Sequence, residues 1–274
     1  MLQREVKKMS TVTITAKGTH ELYLEAYNVT PDAFAGKTAA EIAEIECHEG
    51  NYKGTLGEYF DIAGAAAATA EETTIIVNGD CKKIKRIGQK MSAGNVIVEG
   101  DCDMYIGGWM QGGKLLVKGN VDSFCGIAMA GGELTVEGDA QNHVGSAYRG
   151  DWRGMTGGVL RVKGSVGNDI GTFINGGTII IEGDAFIHVS THGEGGTIIV
   201  KGNVEGRVGG QMVKGDVYVY GDIKYMMPGF KYVDEVEAEV DGETAKFAHY
   251  IGDLGERHPK RKGEIVYGNI YKKL

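Results

Sequence analysis

Thr74-Ile-Ile-Val-Asn-Gly-Asp80 returns along the chain as Asn95-Val-Ile-Val-Glu-Gly-Asp101, Lys114-Leu-Leu-Val-Lys-Gly-Asn120, Glu133-Leu-Thr-Val-Glu-Gly-Asp139, Val159-Leu-Arg-Val-Lys-Gly-Ser165, Thr178-Ile-Ile-Ile-Glu-Gly-Asp184, Thr197-Ile-Ile-Val-Lys-Gly-Asn203 and Asp216-Val-Tyr-Val-Tyr-Gly-Asp222. The marker glycines Gly79, Gly100, Gly119, Gly138, Gly164, Gly183, Gly202 and Gly221 lie 21, 19, 19, 26, 19, 19 and 19 residues apart. A second glycine follows most of them by seven residues (Gly107, Gly126, Gly145, Gly171, Gly209), and then a Gly-Gly pair such as Gly112-Gly113 or Gly131-Gly132. A fixed period of this length marks a stacked-repeat architecture.

Within each unit the alternation has period two, the strand period. One apolar row reads Ile75, Val96, Leu115, Leu134, Leu160, Ile179, Ile198, Val217, and the next Val77, Val98, Val117, Val136, Val162, Ile181, Val200, Val219. A third, past the marker, reads Cys81, Cys102, Val121, Ala140, Val166, Ala185, Val204, Ile223. Nineteen residues are too few for a strand–helix–strand unit but suit one coil of short strands turned by glycine corners, where positive φ is cheap. The expectation is an all-β chain: a single-stranded right-handed parallel β-helix of about eight coils, roughly 38 Å tall at the inter-strand spacing. The helix proper covers 73–222, after a lead-in and cap at 1–72 and before a cap or tail at 223–274.

The row just before the marker supports in-register stacking. It reads Asn78, Glu99, Lys118, Glu137, Lys163, Glu182, Lys201, Tyr220, so opposite charges lie one rung apart, an arrangement that only parallel stacking explains. A further outward row is apolar at Ile76, Ile97, Leu116, Ile180, Ile199 and Tyr218. Aliphatic ladders do not normally face water, so the chain's own flanks or another subunit must cover them. In the lead-in, Thr11–Ala16 and Glu21–Tyr27 read as strands, and Thr38–Ile45 as a helix with Thr38 as N-cap and Glu41 three residues on.

Composition narrows the function classes. Glycine is 45 of 274 residues, more than twice the usual ~7%, while proline is scarce at three. A net charge of −8 argues against nucleic-acid and anionic-membrane partners, and the short basic run Lys260-Arg261-Lys262 does not reverse it. With no apolar run of membrane-spanning length and no secretory signal, the chain is read as cytoplasmic. Met1–Lys8 is polar, and Met9 offers an alternative start.

Catalytic, cofactor and metal sites are not expected on this chain. Cys47, Cys81, Cys102 and Cys125 form no CxxC pair, and the last three belong to inward rows, which fits core thiols. His143, Asp169 and His188 stack on successive rungs beside Tyr105, Phe124 and Arg207, but rungs about 4.8 Å apart do not converge as tetrahedral ligands must. His192 and Glu194 fall where Ser190 replaces the corner glycine and Gly193 the methionine seen at Met91, Met110 and Met129, a repaired turn. No dinucleotide or phosphate-loop fingerprint is present, because each strand ends in a coil corner and none opens a helix. The 26-residue interval carries a seven-residue insertion within Tyr148–Met155. Arg149, Asp151, Trp152 and Arg153 in it are the candidate partner contact, since Trp and Arg dominate binding energy at protein interfaces.

The repeated G-D/N…G…M-x-G-G pattern resembles the GXGXG β-helix shared by the C-terminal domain of glutamate synthase and the C subunit of formylmethanofuran dehydrogenase. Gly50-Asn51 and Leu56-GEYFDIAG are similar to the latter's lead-in, and His143-VGSAYRGDWRGMTGG to its break in the repeat. The resemblance covers about residues 10–225. It implies a non-catalytic scaffold in a complex that reduces carbon dioxide and forms formylmethanofuran in methanogenesis. It also implies partners that hold the cofactors: a catalytic subunit with a tungsten- or molybdenum-pterin, a zinc amidohydrolase-like subunit, and ferredoxin-like subunits with iron–sulfur clusters. The nearest alternative is the C subunit of a bacterial formyltransferase/hydrolase complex. An alternative of another class is a stand-alone β-helix carbohydrate-active enzyme, which would need a groove of acids and bases. A hexapeptide-type acyltransferase is excluded, since 19 is not a multiple of six.

Overall fold

The computed structural model describes residues 10–18, 20–253 and 266–274; Met1–Lys8, the alternative start at Met9 and the basic run Lys260-Arg261-Lys262 lie outside them. The chain opens with β1 (Ser10–Ala16) and β2 (Leu24–Glu25), then α1 (Pro31–Phe34) and α2 (Ala39–Ala43). Thr38 caps α2 as expected: its hydroxyl accepts from the Glu41 amide at 3.4 Å, and Glu41 Oε2 accepts from the Thr38 amide at 2.9 Å. The Glu21–Tyr27 strand is cut to two residues. The lead-in also holds a hairpin of β3 (Glu46–Glu49) and β4 (Tyr52–Thr55), then α3 (Leu56–Tyr59) and β5 (Phe60–Gly64). Phe34, Ile42, Leu56 and Phe60 are buried in the same core as the first repeats, so this flank closes one end of the stack.

The repeats supply β6 (Thr73–Asn78), β7 (Ile84–Lys85), β8 (Asn95–Val98), β9 (Lys114–Val117), β10 (Glu133–Val136), β11 (Thr156–Val162) and β12 (Gly176–Ile181). They continue through β13 (Ala185–Val189), β14 (Glu194–Val200), β15 (Val204–Val208), β16 (Lys214–Val219) and β17 (Ile223–Tyr225). One long sheet runs β6-β8-β9-β10-β11-β12-β14-β16, each strand parallel to the next. The register is the one read from the repeat: Ile75 pairs with Val96, Val96 with Leu115, Leu115 with Leu134 and Leu134 with Leu160. Both inward rows of this sheet are buried throughout. The third row is aligned by single bridges from Cys81 to Ala185 and ends in a three-stranded sheet, β13-β15-β17.

The long sheet extends beyond the eight repeats. Val12 of β1 pairs in parallel with Ile75, and Val217 pairs in parallel with Ile270 of β20 (Gly268–Lys273). Between β17 and β20 the chain forms an antiparallel hairpin, β18 (Lys231–Val240) and β19 (Glu243–Gly252). Its Val240 and Phe247 bury Ile180 and Ile199, with Tyr218 packed alongside. The chain's own tail therefore covers one half of the apolar outward row, while Ile76, Ile97 and Leu116 remain half-exposed.

The charge ladder follows the same division. Lys118 meets Glu99 at 2.8 Å and Lys163 meets Glu137 at 3.0 Å. Higher up, Glu182 pairs with Arg161 at 3.0 Å and Lys201 with Asp241 and Glu243 of the hairpin at 3.7 and 3.8 Å. The Asp/Asn after each marker glycine has its own role. Asp101 Oδ1 accepts from the Asn120 amide at 2.8 Å, Asn120 Oδ1 from the Asp139 amide at 2.8 Å, and Asp139 Oδ1 from the Ser165 amide at 2.7 Å. Each rung thereby satisfies an amide of the next at a corner where the strand ladder is interrupted.

Candidate partner-contact site

Each coil turns through alternate left-handed residues. Tyr105, Gly107 and Trp109 have φ of 63°, 63° and 55°, and the pattern recurs at Phe124, Gly126 and Ala128 and at Asp169, Gly171 and Phe173. The non-glycine members form the row Arg86, Tyr105, Phe124, His143, Asp169, His188, Arg207, all left-handed. Each such residue costs about 1–2 kcal/mol, and stacking of successive side chains offsets part of that. Tyr105 stacks on Phe124 at 4.9 Å and Phe124 on His143 at 4.7 Å, nearly parallel in both cases. These separations match the strand spacing, so the stack is a direct product of the register. The Arg86 guanidinium lies 4.5 Å over the Tyr105 ring.

The insertion leaves the fourth coil beside this stack. The Ala147 amide donates to Thr172 O at 3.0 Å and the Gly154 amide to Phe173 O at 3.0 Å, so both feet of the loop rest on the next coil. Met155 then takes the buried methionine position, so the inserted residues are held outside the core. Asp151 organises the tip: its Oδ1 accepts from the amides of Trp152 (2.8 Å) and Arg153 (3.1 Å) and from Arg153 Nε (3.2 Å). The Arg153 hydrogen bond holds the Asp151 carboxyl below its ordinary range. Arg153 lies 5.4 Å over the Trp152 ring, which stays 55% exposed.

Of the four residues expected in the contact, Asp151 thus turns its carboxylate onto the loop itself, while Trp152 and Arg153 are presented outward. Arg149 reaches back, 5.6 Å over Phe124. Two residues missed in the sequence join them: Tyr148 packs on Trp109 at 5.5 Å and lies 6.2 Å from Tyr105. The signal was available, since Trp109 is one of two tryptophans and Tyr148 opens the insertion. The result is a continuous aromatic and guanidinium surface, Arg86–Tyr105–Trp109–Tyr148–Arg149, running into the loop.

The other candidates are dispersed. His143, Asp169 and His188 share the row, but burial lowers the His143 pKa and its ring is committed to Phe124. His192 stacks on Phe173 at 4.7 Å, and Glu194 accepts from Asn175 Nδ2 at 3.3 Å. Ser190 stands at the corner with φ of 60° and is buried. Burial pushes the thiols of Cys47, Cys81 and Cys125 up to about 12, and that of Cys102 well above its ordinary value. Among the described residues no three His, Cys, Asp or Glu side chains converge as ligands. Among those residues no donor set fits an iron–sulfur cluster or a zinc ion. Among the described residues no helix is long and apolar enough to cross a membrane.

No family model matches the chain. The C subunit of tungsten-containing formylmethanofuran dehydrogenase 2 from Methanococcus maripaludis is 49% identical over 261 residues, covering 92% of this chain and 95% of that one. Its counterpart from Methanothermobacter wolfeii is 44% identical over 99 residues, so the match spans 36% of this chain and 37% of the relative's length. Among solved structures, the fold is similar to a chain of the formyltransferase/hydrolase complex from Methylorubrum extorquens, solved with methylofuran. That chain has a TM-score of 0.81 and 23% identity, with 96% of this chain and 99% of that one covered. Identity of 49% over 92% of the chain to the Methanococcus protein places it in a family: it belongs to the C subunits of formylmethanofuran dehydrogenase.

Proposed function

We propose that this chain is the non-catalytic scaffold of a tungsten- or molybdenum-containing formylmethanofuran dehydrogenase complex of an archaeal methanogen. The complex would reduce carbon dioxide with reduced ferredoxin and form formylmethanofuran. The observation that carries the reading is the 49% identity to a named C subunit over 92% of the chain. On this reading the chain is a cytoplasmic, single-stranded right-handed parallel β-helix of the GXGXG type, related to the C-terminal domain of glutamate synthase. Residues 1–72 are its lead-in, 73–222 its coils and 223–274 its tail. It holds no cofactor. The pterin, the iron–sulfur clusters and the zinc belong to a pterin-binding catalytic subunit, ferredoxin-like subunits and an amidohydrolase-like subunit. The alternative, the C subunit of a formyltransferase/hydrolase complex, rests on a likeness of fold at 23% identity.

The scaffold contact is assigned to the insertion, where the exposed Trp152 and its two arginines stand beside the aromatic row. The test is to purify the complex through a tagged copy of this chain carrying Trp152→Ala, and to melt the isolated variant. Retention of the other subunits should fall by roughly 2 kcal/mol in affinity, the size of an interface hot spot, with little change in melting temperature. Unchanged retention with a lowered melting temperature would make the tryptophan a packing residue of its own coil.

A further inference from the structure

The two sheets of the stack end differently. The long sheet does not stop at β16, because β20 adds a parallel strand beyond it. The three-stranded sheet stops at β17, whose inner side pairs with β15 through Val204–Ile223 and Gly206–Tyr225. Among the described residues no strand follows on its outer side. Among the described residues the tail therefore extends one sheet and leaves the other with an unpaired parallel edge, a ready-made template for pairing with another chain.

Beside that edge lies a groove of about 630 Å³ with Phe186 on one side and Tyr225 on the other. These side chains are 52% and 63% exposed. Gly206 lines it too, and a Cβ there would fall 3.1 Å from Tyr225 Cβ. Met226, Met227 and Pro228 also line it. Apolar rings beside a glycine suit an apolar or aromatic side chain, and the methionines adapt to its shape. The charges are also unbalanced. Glu205 is taken by Lys224 at 2.7 Å, whereas Arg207, which also lines the groove, meets no carboxylate among the described residues.

We propose that β17 and this groove dock an extended segment of a partner protein, which pairs with the β17 edge, sets an apolar side chain between Phe186 and Tyr225, and brings a carboxylate to Arg207. The edge is three residues long, carries Lys224 and is followed by Pro228, features that weaken strand pairing with any chain, a second copy included; the groove and the Arg207 charge are what select a segment carrying an apolar side chain and a carboxylate. The surface is separate from the insertion loop, and the proposal rests on the scaffold reading only in requiring that the chain has protein partners.

The experiment is hydrogen exchange on the complete complex and on the isolated chain. Amides of 223–227 should exchange at least tenfold more slowly in the complex. In the complex, Arg207→Glu and Tyr225→Ala should each lower retention of partner subunits about tenfold or more, and Arg207→Lys should restore most of it. Equal exchange in both forms would overturn the proposal without any variant being needed. Protection already present in the isolated chain, and lost when 254–265 are deleted, would assign the edge to this chain and also overturn it. If Trp152→Ala weakens assembly while the β17 changes do not, the scaffold reading stands and this docking site falls.

Discussion

Arg161 reaches from the long sheet to Asp241 at the tip of the β18–β19 hairpin, donating from Nη1 at 3.3 Å and from Nη2 at 2.6 Å. It is the fork that fixes the tail on the stack: Ile180 and Ile199 are covered on one side of it, while Leu116 and Ile97 lie beyond. The guanidinium holds the Asp241 carboxyl below its ordinary value. The folded state therefore binds fewer protons than the unfolded chain through the acid range. The stabilisation is complete above the unfolded carboxyl value of about 4 and is lost as pH falls through the folded value. Asp241→Asn should cost roughly 1–2 kcal/mol at pH 7, and its melting curve should converge on that of the unmodified chain in acid. Parallel pH profiles for the two would show that the pair does not fix the tail.

The raised thiols make a second prediction. With values near 12 for Cys47, Cys81 and Cys125 and a still buried Cys102, almost no thiolate exists at pH 8. A thiol-reactive disulfide reagent should label none of the four cysteines in the native chain over an hour, and all four in denaturant. Fast native labelling of any one would contradict its place in the core.

The inward rows were legible because each repeat states them again, and because register makes the charge alternation of Glu99–Lys118 and Glu137–Lys163 self-checking. Trp152 was legible because it interrupts a period. The tail hairpin was not. Val236 faces Phe247 and Ala238 faces Ala245 across one turn, a single pattern that nothing repeats. Nor were the left-handed Tyr105, Phe124 and His143, since glycine is the residue that advertises positive φ and aromatic side chains conceal it. Their role in the candidate site follows from stacking between coils, which only the assembled register creates.

Register itself is testable at two neighbouring positions. Val136 is fully buried and Glu137 is exposed. Val136→Asp should abolish soluble folding, since an unpaired buried carboxylate costs several kcal/mol. Glu137→Asp, one residue on, should shift stability by less than about 1 kcal/mol. Equal tolerance at both positions in a denaturation series would refute the inward assignment of the row.

The corner at Ser190 gives the most specific prediction. A Cβ at Gly126 would sit 2.2 Å from Leu160 Cδ1, and one at Gly171 2.5 Å from Ile198 Cδ1. Gly88, Gly107 and Gly145 likewise face a δ carbon of the first inward row, while Gly209 faces Phe230; Gly126→Ala should cost about 2–4 kcal/mol from left-handed strain and overpacking. Ser190 escapes this because the row residue next after Ile198 is Val217, with which it pairs in register, and valine has no δ carbon. The hydroxyl fits because Gly193 stands where other coils have methionine; a Cβ on Gly193 would lie 2.5 Å from Ser190 Oγ. That Oγ is buried without a hydrogen-bond partner, so Ser190→Gly should leave stability unchanged or raise it by about 1 kcal/mol. Val217→Leu should be destabilising in the unmodified chain and largely tolerated with Ser190→Gly. The coupling in a double-mutant cycle should exceed about 1 kcal/mol. Additive effects would mean that the missing δ carbon is not what admits serine at this corner.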